Sequence, residues 1–177
     1  METRALMSTN VVQRPLRVLF LCTRNAARSQ IAEALRQRKG RGRFEAGSVG
    51  SEPAPEVNPL AAEVLTSHGI DWSHARPKGV EAVLDQPWDF VITVCDRARE
   101  VCPSFPHRPI FAHWGIPDPD AVVGEEARYH AFKDALQYLS RRIDLMLALP
   151  FESLERRAAE ERLRALGYEG QSPEISG

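Results

Sequence analysis

The sequence predicts an α/β fold, a single doubly wound domain in which helices cover both faces of a four-stranded parallel sheet. Three observations predict it. Apolar runs with strand character alternate with amphipathic helical segments in the order βαβαβαβα. One of those runs, WDFVITVC, is apolar almost throughout, the pattern of a parallel strand buried on both sides. The chain has 177 residues, 43% hydrophobic and 27% charged, an ordinary composition for one core, and no linker, repeat or low-complexity stretch divides it. Sequential parallel strands need crossover connections, which are right-handed, so this alternation leads to a doubly wound sheet.

Residues 1–15 read as a mobile leader ahead of the fold. Arg17 to Leu21 is a buried strand, and SQIAEALRQRKG is a helix with apolar residues at Ile31, Ala34 and Leu35 and a stop at Gly40. FEAGSVGS is the second strand. NPLAAEVLTSHG is the second helix, with Pro59 in its first turn and Gly69 past its end. The third strand, WDFVITVC, leads into REVCPSFP, then PIFAHW supplies a shorter fourth strand and a long helix runs from about Glu125 to Leu149. The folded unit is thus expected over 16–150. The remainder, 151–177, reads as a charged helical extension and a tail, a solvated flank with sparse apolar residues such as Phe151, Leu154, Ala158 and Leu166.

The charge balance excludes some functions. With 23 Lys and Arg against 24 Asp and Glu, the net charge of -1 offers no basic field for nucleic acid or an anionic membrane, so any anion site must be local. No apolar stretch approaches the roughly 18 residues of a membrane helix, and the N-terminus has no apolar signal core. A cytoplasmic protein is expected. An odd count of three cysteines, Cys22, Cys95 and Cys102, argues against a structural disulfide framework.

In such sheets ligands bind beyond the carboxyl ends of the strands. Cys22 ends the first strand, Cys95 ends the third and Asp118 follows the fourth, so the fold is expected to gather them on one edge. In VLFLCTRNAARSQ, Cys22 could be a small buried hydrophobe, since free cysteine is often buried. Its surroundings suggest otherwise. A strand-to-helix loop through Thr23, Arg24, Asn25, Ala26 and Ala27 to Ser29 presents backbone N–H groups as an oxyanion nest, reinforced by the helix dipole. Arg28 adds a planar fork for two oxygens of the anion. The same field is expected to lower the pKa of Cys22 and make it a nucleophile. Arg24 adds positive charge, although exposed arginines are most often simply solvated.

The stretch VLFLCTRNAARSQIAEAL resembles the low-molecular-weight protein tyrosine phosphatase superfamily, with its Cys-x5-Arg-Ser between a strand and a helix. The resemblance implies that Asn25 shapes the loop and Ser29 orients the thiolate; Arg24 stands where glycine is usual. VITVCDRAREVCPSFP and HWGIPDPD are similar to the thioredoxin-coupled arsenate reductases built on that fold, over roughly Leu16 to Leu149. That likeness implies sheet order 2-1-3-4, a relay of Cys22, Cys95 and Cys102, and Asp118 as general acid. It also implies arsenate, with phosphate or sulfate as analogues, in the Cys22–Arg28 loop, and thioredoxin as reductant, with no cofactor. Members can bind potassium through positions matching Asn25 and Glu33. A further ligand position reads here as Glu45 rather than serine, so no metal is carried over.

Two other functions remain compatible with the residues. A phosphatase would use Cys22, Arg28 and Asp118 alike, leave Cys95 and Cys102 idle, and normally show aromatic residues after the Asp-Pro, where this chain reads DPDAVV. A non-enzymatic redox or oxyanion sensor would use the cysteines to switch a partner-binding surface, and no DNA-reading motif or basic stripe supports it. Metal binding by the cysteines with His107 or His113 lacks the usual spacing. His113 and Trp114 are expected to pack beneath the acid loop, and the protein to act as a monomer.

Overall fold

The computed structural model describes residues 14–168; the leader expected over 1–15 and the tail beyond 168 lie almost wholly outside them. Four strands, β1 (Leu16–Cys22), β2 (Phe44–Gly50), β3 (Phe90–Thr93) and β4 (Ile110–His113), form one parallel sheet in the order β2-β1-β3-β4. That is the predicted order. β1 is central because Val18, Leu19, Phe20 and Leu21 have no exposed surface and need neighbours on both edges and both faces.

The helices are α1 (Arg28–Arg38), α2 (Pro59–Ser67), α3 (Asp96–Glu100), α4 (Glu125–Leu147) and α5 (Arg156–Leu166). α1 packs on α4 and on β2, and α2 packs on both helices. α4 buries Phe132, Leu136, Leu139 and Ile143 at helical spacing, which is why its long pattern was readable. α2 starts at Asn58, whose side chain accepts the Leu60 N–H at 2.9 Å, with Pro59 at the first helical position. No helix among the described residues is long and apolar enough to cross a membrane.

The reading of 151–177 as a solvated flank is corrected by α5. Ala159, Leu163 and Leu166 are buried on one face against β4, and Phe151 packs edge-on against Phe44 and tilted against Phe90. The Trp114 indole N–H also donates to the Leu163 carbonyl at 3.1 Å. The apolar positions are few, but they share a face, and β4 is an edge strand that would otherwise be uncovered on that side.

The register puts one functional edge together. Cys22 pairs with Gly50 across β1 and β2, and Thr93 pairs with His113 across β3 and β4. All four strands therefore present their carboxyl ends on the same side.

Candidate active site

β1 ends at Cys22, and the chain turns through Thr23–Ala27 into α1. The turn is made by Asn25, whose φ of 52° lies in the left-handed region that asparagine tolerates better than most residues. Arg24 does not have a positive φ, so arginine fits where the family has glycine; its side chain is exposed. The segment after β2 fixes the loop's outer side. Amides of Ser51, Glu52, Ala54 and Asn58 donate to the carbonyls of Cys22, Thr23, Arg24 and Ala26 at 2.8–3.1 Å. With its carbonyls so engaged, the loop turns its N–H groups to the opposite side, as a nest requires. The approach is tight: a Cβ on Gly50 would lie 2.6 Å from the Thr23 carbonyl oxygen and 2.8 Å from the Asn25 nitrogen.

Cys22 is buried, with Ser29 Oγ 2.7 Å from its Sγ and the Asn25 N–H donating to Sγ at 3.1 Å. Burial pushes the thiol up, against the Ser29 hydroxyl and the Asn25 and Ser29 amides, which pull it down, and proximity to Cys95 adds a little upward. The expected lowering of the Cys22 pKa is thus corrected: desolvation of Sγ outweighs the hydrogen bonds that stabilise its thiolate.

Asn25 is the hub of a buried network that sequence reading only half found. Its amide N–H groups donate to Ser29 Oγ at 2.8 Å and Ser48 Oγ at 2.9 Å. Its Oδ1 accepts from the Lys78 amide at 2.8 Å and from Gln30 Nε2 at 3.0 Å. Gln30 is held in turn by the Trp72 indole at 2.8 Å. Gln30, Ser48, Trp72 and Lys78 carry no local motif, and only Gln30, one residue past Ser29 on the first turns of the helix, offered a positional hint.

Arg28 opens α1 and donates from Nη1 to the Ile116 carbonyl at 2.9 Å, which ties the loop after β1 to the segment that carries Asp118. Asp118 is exposed, and its carboxylate accepts the Asp120 amide at 3.0 Å. Asn58 Nδ2 donates to Asp120 at 3.1 Å, linking this acid loop to α2.

Cys95 is the N-cap of α3, buried, with its Sγ 3.3 Å from Thr23 Oγ1. Cys102 lies beyond α3, half-buried, and burial pushes its thiol up. All three cysteines are free. A cavity of about 1040 Å³ is lined by Thr23, Arg28, Cys95, Cys102 and Asp118 together, while Cys22 sits beneath the loop rather than on its wall. Of the predicted residues, therefore, the fold gathers the first cysteine, the arginine, the two later cysteines and the aspartate at one edge. Arg24 is exposed, and His113 lines the cavity.

The residues do not fit a potassium ion. Glu33, buried and pushed up by desolvation, faces the Lys78 ammonium at 3.7 Å and is hydrogen-bonded to Ser48. The chain's own cation supplies the positive charge there. Glu45 pairs with Arg17 at 3.5 Å, and the serine beside Asn25 and Glu33 is Ser48.

A sequence profile of the low molecular weight phosphotyrosine protein phosphatase family matches residues 17–160. An arsenate reductase of Halalkalibacterium halodurans is 34% identical over 127 residues, covering 71% of this chain and 91% of its own. Among solved structures, an arsenate reductase in the phosphate-binding state superposes with a TM-score of 0.66 at 28% identity, over 75% of this chain and 97% of that one. A thioredoxin-dependent arsenate reductase of Corynebacterium glutamicum gives 0.56 at 31% identity, over 81% of this chain and 69% of that one.

Proposed function

Because the chain belongs to the low molecular weight phosphotyrosine protein phosphatase family, and its similar proteins include arsenate reductases, we propose that it reduces arsenate to arsenite by a three-cysteine relay. The observation that carries this reading is the contact of the Cys95 thiol with Thr23 at 3.3 Å, inside a cavity that Cys102 also lines. A hydrolytic phosphatase has no use for either thiol.

In this mechanism arsenate lies in the loop formed by Thr23, Arg24, Asn25, Ala26 and Ala27, with Arg28 gripping two of its oxygens. The Cys22 thiolate, oriented by Ser29, attacks arsenic, and Asp118 gives a proton to the departing oxygen, which leaves as water. The Cys95 thiolate then attacks Cys22 Sγ. The sulfur–arsenic bond breaks, its electron pair stays on arsenic, and arsenite leaves as the Cys22–Cys95 disulfide forms. Cys102 attacks Cys95, Cys22 departs as thiolate, and a thioredoxin dithiol reduces the resulting Cys95–Cys102 disulfide. Both electrons of each cycle thus come from the dithiol.

The folded unit 16–150 carries the chemistry and the extension over 151–177 buttresses it through α5. The protein works as a monomer in the cytoplasm, where thioredoxin keeps thiols reduced.

Replacing Cys102 with Ser is expected to permit one turnover and to trap a Cys22–Cys95 disulfide visible by mass spectrometry. Multiple turnovers by that variant would refute the relay order. NADPH consumption that requires arsenate, thioredoxin and its reductase together tests the whole cycle, and faster hydrolysis of p-nitrophenyl phosphate than reduction of arsenate would move the assignment to a phosphatase.

A further inference from the structure

Beside the relay, the His113 ring bridges two elements. Its Nδ1 lies 2.7 Å from Thr93 Oγ1 and its Nε2 lies 2.9 Å from Asp96 Oδ1. A carboxylate only accepts, so Nε2 carries the hydrogen, and in the neutral ring Nδ1 accepts from the Thr93 hydroxyl. Thr93 and His113 are register partners in β3 and β4, a rigid support. Asp96 is different, because it is the first residue of α3, which joins Cys95 to Cys102.

α3 has little else to hold it. It is five residues long, and apart from buried Ala98 its side chains are exposed. Arg97 pairs with Glu52 at 3.1 Å, and both of those groups are mostly exposed. Cys95 caps the helix itself: its Sγ accepts from the Ala98 N–H at 3.4 Å and its carbonyl from the Arg99 N–H at 3.2 Å. A disulfide from Cys95 to Cys102, past the far end, needs Cα atoms within about 7 Å. It takes away the capping sulfur and bends the segment out of its helical path.

The chain also leaves room for the bridge. Gly115, between β4 and Asp118, lies so close that a Cβ there would be 2.8 Å from His113 Nε2 and 3.5 Å from Asp96 Oδ1. Any larger residue would wedge the imidazole and the carboxylate apart.

We propose that Thr93, His113 and Asp96 form a latch that holds α3 in its helical dithiol form, and that the latch opens when Cys102 attacks Cys95. The proposal rests on the relay described above. Its residues act by positioning: they touch no substrate and carry no electrons. In the step itself the Cys102 thiolate, having lost its proton to solvent, bonds to Cys95 Sγ; the Cys22–Cys95 bond breaks with its electron pair on Cys22, and Asp96 leaves His113 as α3 unwinds. A closed latch makes the Cys95–Cys102 disulfide harder to form and easier for the reductant to open.

The test uses the full chain with Cys22→Ser, in which Cys95 and Cys102 can pair only with each other. The protein is equilibrated in mixtures of reduced and oxidised dithiothreitol, and the disulfide fraction is read by alkylation and mass spectrometry. Asp96→Ala, at an exposed side chain, and His113→Gln are each expected to raise the disulfide's equilibrium constant about two- to fivefold, the scale of one net hydrogen bond. The double variant should rise no further than either single one, since both break the same contact. Asp96→Asn keeps an acceptor oxygen and should fall between, while Gly115→Ala should mimic Asp96→Ala. Amide hydrogen exchange at 98–101 should quicken in the same variants. A disulfide that forms with the same constant in Asp96→Ala and in its parent overturns the latch alone, as would additive effects in the double variant. Failure of the parent to form any Cys95–Cys102 disulfide overturns the relay, and the latch with it.

Discussion

Ser29 Oγ stands 2.7 Å from Cys22 Sγ and opposes the burial that pushes this thiol up. Removing the hydroxyl with Ser29→Ala should raise the Cys22 pKa further. The pH profile of Cys22 alkylation would then move to the alkaline side, because the thiolate is the form that reacts and a higher pKa delays its appearance. An unmoved profile would remove Ser29 from thiolate control. Position 24 teaches a related lesson at the same scale. Glycine there looks obligatory if residue 24 makes the turn, yet the positive φ falls on Asn25 and Arg24 is tolerated. Cys22, Asn25, Arg28 and Ser29 were legible because they sit within eight consecutive residues. Ser48 and Lys78 were not, because their partnership with Asn25 and Glu33 exists only once β2 and the segment before β3 are folded against the loop.

Among the elements, α5 departs furthest from expectation. Its charged sequence reads as solvated because only Ala159, Leu163 and Leu166 face inward, and three buried positions in eleven residues give a weak pattern. The fold supplies the missing information in the bare side of β4 and in Arg142, buried on α4, which donates to the carbonyls of Gly115 at 3.4 Å and Gly167 at 3.2 Å. The acid loop and the end of α5 are thus held by one guanidinium. Leu163 has no exposed surface, so Leu163→Ala should destabilise the protein by about 2–5 kcal/mol, the usual cost of a buried leucine cavity. Chemical denaturation measures it, and a loss under 0.5 kcal/mol, the level of an ordinary surface change, would return α5 to the status of a flank. The strands and long helices were readable for the opposite reason: β1 and α4 bury enough side chains for period and run length to speak clearly.

For the whole molecule, the loop from Cys22 to Arg28 couples to the segments that follow β2, precede β3 and follow β4. Its carbonyls are held by the segment after β2, Asn25 by the segment before β3, and Arg28 by the segment after β4. An oxyanion bound there should stabilise the entire fold. Phosphate at one hundred times its dissociation constant adds about 2.7 kcal/mol by mass action, so thermal unfolding should shift upward with phosphate concentration. Arg28→Ala should abolish the shift, and a full shift in that variant would exclude Arg28 from the site. By itself the sequence determined the α/β class, the loop that joins Cys22 to Arg28, and the placing of the three cysteines, since each is written in a local run, a spacing or a strand end. Tertiary structure alone decided which residues surround them: Gln30, Ser48 and Lys78 around Asn25, the exposure of Asp118, the cover supplied by α5, and the bridge from Asp96 to His113. The physical reason is that burial and hydrogen bonding between distant segments depend on how the crossovers pack, and no short window of sequence records that.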